Sequence, residues 1–222
     1  RIVKITADIV GDEPLDKISA ELLVLLKEVP LPQDYKFEIT GAEAQRKESM
    51  DNLSFALMLS LVLVYMVLAS QFESLVHPFT IILTVPLAAV GAFGIFFILG
   101  TPLNIMAYIG IIMLAGIAVN DSIILVDAIL QLQREGLSIR DAIIEAGQRR
   151  IRPIIMTSLT TILALLPLTL GFGESAALRS PMAWAVIGGL VTSTLLTLVV
   201  IPCFYYVIEN GLLAIGLKKE KN

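Results

Sequence analysis

Histidine and cysteine are almost absent from this sequence, which has one residue of each among 222. The single Cys203 cannot form a disulfide bond within the chain, so packing is its expected role. His77 has no neighbouring cluster with metal-ligand spacing, and we expect a solvated interfacial group rather than a ligand. The chain also has no glycine-rich phosphate loop and no candidate catalytic triad, so we expect neither an enzyme nor a bound cofactor.

Charge is also scarce. Charged residues make up 16% of the chain, the net charge is −4, and the basic face of a nucleic-acid-binding protein is missing. Hydrophobic residues make up 56% and the mean hydropathy is +0.84, far above the range of soluble domains. The composition therefore excludes a soluble enzyme and predicts a membrane protein.

Five long apolar runs can each cross a hydrocarbon layer of about 30 Å. They predict a membrane all-α fold, a bundle of five transmembrane helices. Pro86 lies inside the second run and is expected to kink that helix. The runs cover residues 53–70, 76–99, 102–127, 153–170 and 182–209.

Basic residues near the ends of these runs predict the orientation. Two segments should be cytoplasmic: the connection after the third run and the tail, residues 210–222. Within the connection, residues 130–150 have the periodicity of an amphipathic helix. The N-terminal segment then lies on the opposite side. The basic residues can also contact anionic lipid, although a topology signal alone explains them. They are Arg134, Arg140, Arg149, Arg150 and Arg152 in the connection, and Lys218, Lys219 and Lys221 in the tail.

The first 42 residues have a different pattern. In residues 1–10 and 35–40, apolar and polar side chains alternate as they do in β-strands, and residues 15–29 have helical periodicity. This order predicts the remnant of a β-α-β unit that is too small to fold alone. Residues 43–52 are a charged connector helix. The chain begins with Arg1 and has no signal core, so we expect the C-terminal piece of a longer protein, whose missing sequence completes the remnant.

Asp121 is the one ionisable group deep inside an apolar run. A carboxylate at a bilayer centre costs roughly 2.5 to 3.5 kcal/mol, so such a group normally faces a helix bundle or a wet cavity on a proton or ion path. The alternative is that Asp121 lies at the interface and hydrates the helix end. Asn120 and Asp127 share a helix face a quarter-turn away, with Asp127 at the water boundary.

The fourth run carries Thr157, Thr160 and Thr161 on one helix face. Hydroxyl groups in membrane helices often bond only their own backbone. A row of hydroxyl groups opposite a buried acid can also conduct protons, because each hydroxyl can both donate and accept a hydrogen bond. We favour the proton path. A membrane scaffold, in which polar residues only fix helix packing, remains an alternative, and a metal-ion transporter is disfavoured because no His/Cys group or Met cluster is present.

Three stretches resemble the C-terminal half of the resistance-nodulation-division efflux pumps, in particular the hydrophobe/amphiphile exporters. They are VYMVLASQFESLVHPFTIILTVPLAAVGAF at residues 64–93, GTPLNIMAYIGIIMLAGIAVNDSIILVD at 100–127, and RRIRPIIMTSLTTILALLPL at 149–168. The likeness covers nearly the whole chain, including the N-terminal remnant, which resembles the end of a periplasmic porter subdomain.

The resemblance implies a proton-driven antiporter of the bacterial inner membrane that exports amphiphiles and confers multidrug resistance. Subunits of such pumps have twelve helices in two similar halves and form trimers. The implied partners are the lipid bilayer, a missing N-terminal half, a homotrimer or hetero-oligomer, a periplasmic adaptor and an outer-membrane channel.

The resemblance also implies a proton relay between acidic residues of the first half and a polar or charged residue of the second half. Asn120 stands where well-known drug exporters have lysine, so either Asp121 carries the charge change or the absent half does. Thr157 matches the hydroxyl position on the adjacent helix, and Arg150 matches a basic residue at the cytoplasmic entrance. Thr161 shares the face of Thr157. The pair Asn120-Asp121 also resembles the acidic pair of first halves, which we disfavour because the chain ends in a lysine tail after the fifth helix.

Overall fold

The computed structural model describes residues 3, 5–7, 15–30, 37, 40–171 and 176–214, and all regular structure in these residues is helical. The predicted strands at 1–10 and 35–40 lie largely outside the described residues, and the few described positions within them are not in strands. Seven helices are described: α1 Leu15–Lys27, α2 Ala42–Phe72, α3 Val76–Ile82, α4 Thr84–Leu99, α5 Ile105–Arg134, α6 Ile139–Thr169 and α7 Ala176–Ala214.

The chain divides into two units, Arg1–Ser54 and Phe55–Asn222. The first unit contains α1, which confirms the helix predicted at residues 15–29 within two residues. It also contains the start of α2, where the carboxylate of Glu43 accepts two hydrogen bonds of 2.8 Å from the Arg46 guanidinium. The expected connector 43–52 is the first part of α2 and continues into the first apolar run without a break.

Among the described residues, five helical segments are long and apolar enough to cross a membrane. They confirm the five predicted runs, and α3 with α4 makes up the second of them. That segment is interrupted at Leu83, three residues before Pro86. Proline has no N–H to donate, and its ring clashes with the carbonyl group four residues earlier. The kink predicted from Pro86 therefore divides the segment into two helices.

The connection between α5 and α6 is short. α5 continues to Arg134, and α6 begins after Ser138, whose hydroxyl accepts a 3.2 Å hydrogen bond from the backbone N–H of Asp141. The amphipathic segment predicted at 130–150 is thus not one separate helix. Its first residues end α5, and the others form the first turns of the long α6, because Gly136 (φ 97°) and the Ser138 cap reverse the chain between them.

Helix α7 packs against α4, α5 and α6 and forms the centre of the bundle. Small residues allow this close approach: a Cβ atom on Gly91 of α4 would meet Thr192 and the carbonyl oxygen of Gly188 in α7. A Cβ atom on Gly189 would likewise meet the side chain of Leu114 in α5. Small residues on the facing surfaces thus let α7 approach α4 and α5 closely.

Candidate functional site

Asp121 lies near the midpoint of the 30-residue helix α5 and is only 5% exposed. Its neighbour Ser122 is fully buried, and its hydroxyl donates to the backbone oxygen of Ala118, 3.2 Å away. Rotation of about 100° per residue turns Asp121 into the bundle, away from the exposed Asn120. The carboxyl group therefore lies inside the helix bundle of this chain.

Two hydroxyl groups of neighbouring helices extend inward from this carboxyl group. The Asp121 carboxyl group interacts with the hydroxyl group of Ser158 in α6. The Oγ atom of Ser158 is 2.8 Å from Oγ1 of Thr194 in α7, and both residues are buried. Asp121, Ser158 and Thr194, which we call the polar triad, thus connect three helices through side chains.

The hydrogen-bond direction in the polar triad depends on the protonation of Asp121. An ionised carboxylate only accepts, so Ser158 must donate to it and Thr194 must then donate to Ser158. A protonated carboxyl group can instead donate to Ser158, which then donates to Thr194. Proton uptake can therefore reverse a chain of hydrogen bonds that reaches from α5 to α7.

The three threonines of the predicted row all donate to their own helix. Thr157 donates to the oxygen of Ile154 at 2.9 Å, Thr160 to that of Met156 at 2.7 Å, and Thr161 to that of Thr157 at 2.9 Å. Thr157 also interacts with the Asp121 carboxyl group. The Thr157 hydroxyl can therefore direct its proton either to the Ile154 oxygen or to the ionised carboxylate. The structure brings Thr157 to the acid, while Thr160 and Thr161 bond to backbone.

Asn120 does not join the polar triad. It lies on an exposed stripe of α5 with Met113, Gly116 and Asp127, at spacings of three, four and seven residues. The remaining residues of the helix centre are buried or half-buried. The quarter-turn between Asn120 and Asp121 therefore separates a residue on the outer surface of this chain from a residue inside it.

Arg150 is far from the polar triad along the bundle. It is half-buried near the start of α6, where a cavity of about 210 Å³ opens between α5 and α6. No carboxylate lies within ion-pair distance of it among the described residues. The structure thus places Arg150 and Asp121 in different parts of the molecule.

The expectation that His77 is solvated was wrong. His77 is only 8% exposed, because its ring stacks on Tyr205 of α7 with centroids 5.5 Å apart and contacts the edge of Phe72. The Tyr205 hydroxyl donates to Oε1 of Gln133 at 3.2 Å. The residue just before Pro78 is therefore part of a packed aromatic cluster of α2, α3 and α7, to which Gln133 of α5 is hydrogen-bonded.

Ser158 and Thr194 are the site residues that sequence reasoning left out. Helical periodicity contained a signal for Thr194, because Leu190, Ser193, Thr194, Thr197 and Ile201 follow the spacing of one buried helix face. Ser158 follows Thr157 directly, but it does not share the helix face of the three threonines. Which face turns inward depends on the packing of α6 against α7, and this is not fixed by the sequence of α6 alone.

Five helical segments long and apolar enough to cross a membrane, with a buried carboxyl group among those that pack together, are typical of membrane transport proteins. Residues 1–209 match the model of the AcrB/AcrD/AcrF family. The chain belongs to this family of efflux transporters, and the resemblance to resistance-nodulation-division pumps is confirmed.

Among curated proteins, the chain is 36% identical over 211 residues to the swarming motility protein SwrC of Bacillus subtilis, covering 93% of this chain and 20% of SwrC. It is 38% identical over 197 residues to the multidrug resistance protein MdtC of Erwinia tasmaniensis, covering 88% of this chain and 19% of MdtC. The chain thus spans about a fifth of the length of these relatives.

Two solved structures, both of a heavy metal efflux pump, have the same fold. Crystal form II superposes with a TM-score of 0.76 at 31% identity and covers 88% of this chain and 19% of the pump chain. Crystal form I gives a TM-score of 0.79 at 29% identity and covers 90% and 20%. The bundle described above therefore has the fold of part of an efflux pump.

Proposed function

We propose that this chain is the second-half membrane domain of a proton-driven exporter of hydrophobic or amphiphilic compounds, and that Asp121 carries the proton. The observation that supports this most directly is the burial of Asp121 at mid-helix, linked through Ser158 to Thr194. The test is proton flux and export by the full-length pump with Asp121→Asn, for which we expect loss of both.

The mechanism follows from the two hydrogen-bond directions of the polar triad. A proton that arrives from the outer side neutralises Asp121, and a neutral carboxyl group tolerates a drier site than a carboxylate does. Ser158 and Thr194 then reverse their donors, which changes how α6 and α7 pack at this level. If the outward- and inward-facing conformations differ in proton affinity, proton flow drives the conformational cycle.

The exposed stripe of α5 supports an origin in a longer, two-half pump. An amide group that faces hydrocarbon lacks hydrogen-bond partners, which is costly at the membrane centre. A helix of the other half, facing Asn120, would supply these partners. The fivefold greater length of the relatives leaves room for such a half. In this arrangement Thr157, Thr161 and Arg150 complete the relay, with Arg150 at its cytoplasmic end.

The proposed setting is the bacterial inner membrane, with the N-terminal segment periplasmic and the loop between α5 and α6 cytoplasmic. Residues 1–42 would complete a porter subdomain as its β-α-β remnant. A homotrimer or a hetero-oligomer, a periplasmic adaptor and an outer-membrane channel follow from the family resemblance. The basic residues of the α5–α6 connection support the orientation.

A mutation of Ser158 separates the relay from a purely structural role. Loss of one interhelical hydrogen bond in a membrane costs on average about 0.6 kcal/mol. We therefore expect Ser158→Ala in the full-length pump to change the free energy of unfolding by less than about 1 kcal/mol, but to slow proton-coupled export severalfold. Ser60→Ala is the matched control, because the Ser60 hydroxyl is exposed and donates only to the oxygen of Leu57.

The scaffold alternative makes the opposite prediction for this pair of variants. It is supported by the backbone hydrogen bonds of Thr157, Thr160 and Thr161, which are typical of structural hydroxyls. If Ser158→Ala lowers stability in proportion to any loss of export, the polar triad only holds the helices together.

A metal-ion exporter is the second candidate, favoured by the two heavy metal efflux pump structures. Within the described residues, no group of three or more His, Cys, Asp or Glu side chains has the geometry of a metal site. The discriminating measurement compares uptake of an amphiphilic dye and of copper or zinc ions by inside-out vesicles that contain the full-length pump. If metal ions are transported with protons and the dye is not, the substrate of the pump is a metal ion and not an amphiphile.

A further inference from the structure

The cavity between α5 and α6 has the chemistry of an anion site. It is lined by the polar residues Arg149, Arg150 and Gln131 and by the apolar residues Ala128 and Leu132. No acidic side chain of the described residues lines it. Its volume of about 210 Å³ is large enough for a phosphate group.

The two arginines retain donors for a ligand. Glu145 engages only the Nε atom of Arg149, at 2.7 Å in an exposed ion pair, so that the terminal nitrogens remain available. Arg150 has no ion-pair partner among the residues the structure describes. Arginine is well suited to a phosphate group, because its planar guanidinium can donate two parallel hydrogen bonds.

The level of the cavity in the membrane identifies the source of the phosphate. Ala128 and Leu132 follow Asp121 by seven and eleven residues on α5. At 1.5 Å per residue this is about 10 to 17 Å from the bundle centre, and the hydrocarbon boundary lies about 15 Å from a bilayer centre. If Asp121 lies at the bilayer centre, the cavity is therefore at the boundary between hydrocarbon and headgroups, within reach of lipid phosphates.

We propose that this cavity binds the phosphate group of an anionic phospholipid of the cytoplasmic leaflet, with Arg149 and Arg150 as its ligands and Ala128 and Leu132 against the apolar part of the lipid. The choice of leaflet rests on the proposed orientation of the chain. Basic pockets between transmembrane helices on the cytoplasmic side are a known type of site for anionic headgroups. The site shares Arg150 with the proposed relay but does not include Asp121, so its occupancy can be tested in a pump inactivated at Asp121.

The test uses the full-length pump in vesicles that contain a photoactivatable phosphatidylglycerol. After irradiation, mass spectrometry should locate the label on peptides of the α5–α6 connection. Excess unlabelled phosphatidylglycerol should compete, and phosphatidylcholine should not. We expect labelling at this site to fall about fivefold in Arg149→Gln or Arg150→Gln and roughly twentyfold or more in the double variant. The exposed pair Arg140→Gln and Arg152→Gln, which does not line the cavity, should label like the wild type.

Two further arms keep the result interpretable. The double variant that combines Arg149→Lys with Arg150→Lys retains both charges and should restore part of the labelling, which distinguishes lost ligands from lost folding. Labelling should persist in the Asp121→Asn pump, so that failure of the relay and failure of the lipid site are separable. Three outcomes would overturn the proposal. They are equal competition by phosphatidylcholine, displacement of the label by millimolar inorganic phosphate but not by phosphatidylglycerol, and an unlabelled cavity in a folded pump.

Discussion

Replacement of Asp121 by asparagine should reduce proton-coupled export by the full-length pump to the level of vesicles without pump. The asparagine amide is nearly the same size and can still hydrogen-bond to Ser158, so the buried site stays filled. It cannot bind or release a proton, so the hydrogen-bond direction from α5 through Ser158 to Thr194 no longer changes with protonation. The measurement is dye export together with proton uptake in vesicles energised by a pH gradient.

The matched control is Asp127→Asn on the same helix. Asp127 is exposed and lies six residues from Asp121, so the variant removes an equal charge outside the polar triad. We expect export close to that of the wild type. Unfolding curves for both variants should be similar, because Asp121→Asn replaces a buried acid with a neutral group of the same shape. Wild-type export and proton flux in Asp121→Asn would exclude this residue from energy coupling and assign the charge change to the other half.

Most of the bundle could be predicted from hydropathy and a few local signals. An apolar run long enough to cross a bilayer must be helical, because lipid offers no partner for backbone N–H and C=O groups. Pro86 likewise indicated the break at Leu83, since the effect of proline on the preceding turn is local. These predictions depend on one segment at a time, and that is why they succeeded.

The candidate site could be predicted only in part, because its side chains come from several helices. Burial of Asp121 followed from the cost of a carboxylate in hydrocarbon, and Thr157 was placed near it. Ser158 could not be assigned to the site from α6 alone, because packing against α7 decides which face of α6 turns inward. The expectation that His77 is solvated was wrong because Tyr205, which stacks on its ring, is more than a hundred residues away in the sequence. Side chains that meet across helices depend on packing partners that a single segment does not reveal.

The contact between α4 and α7 should be the most sensitive point of the bundle to added volume. We expect Gly91→Val to lower the free energy of unfolding of the full-length protein by about 2 to 3 kcal/mol. A Cβ atom at this position would lie against Thr192 and 2.5 Å from the carbonyl oxygen of Gly188. Because backbone atoms cannot move aside as a side chain can, the two helices must separate. The measurement is an unfolding titration of the purified protein in lipid–detergent bicelles.

Gly94→Val is the control that isolates this effect. Gly94 lies one turn further along α4, and no atom of another described helix lies within 4 Å of the position its Cβ would take. The two substitutions add the same side chain to the same helix, so they share any change in helix propensity. We expect Gly94→Val to alter the unfolding free energy by no more than about 0.5 kcal/mol. Equal destabilisation by the two variants would mean that α4 and α7 are not in close contact at Gly91. In that case α7 would not be held at the centre of the bundle, and the position of Thr194 beside Ser158 would lose its support.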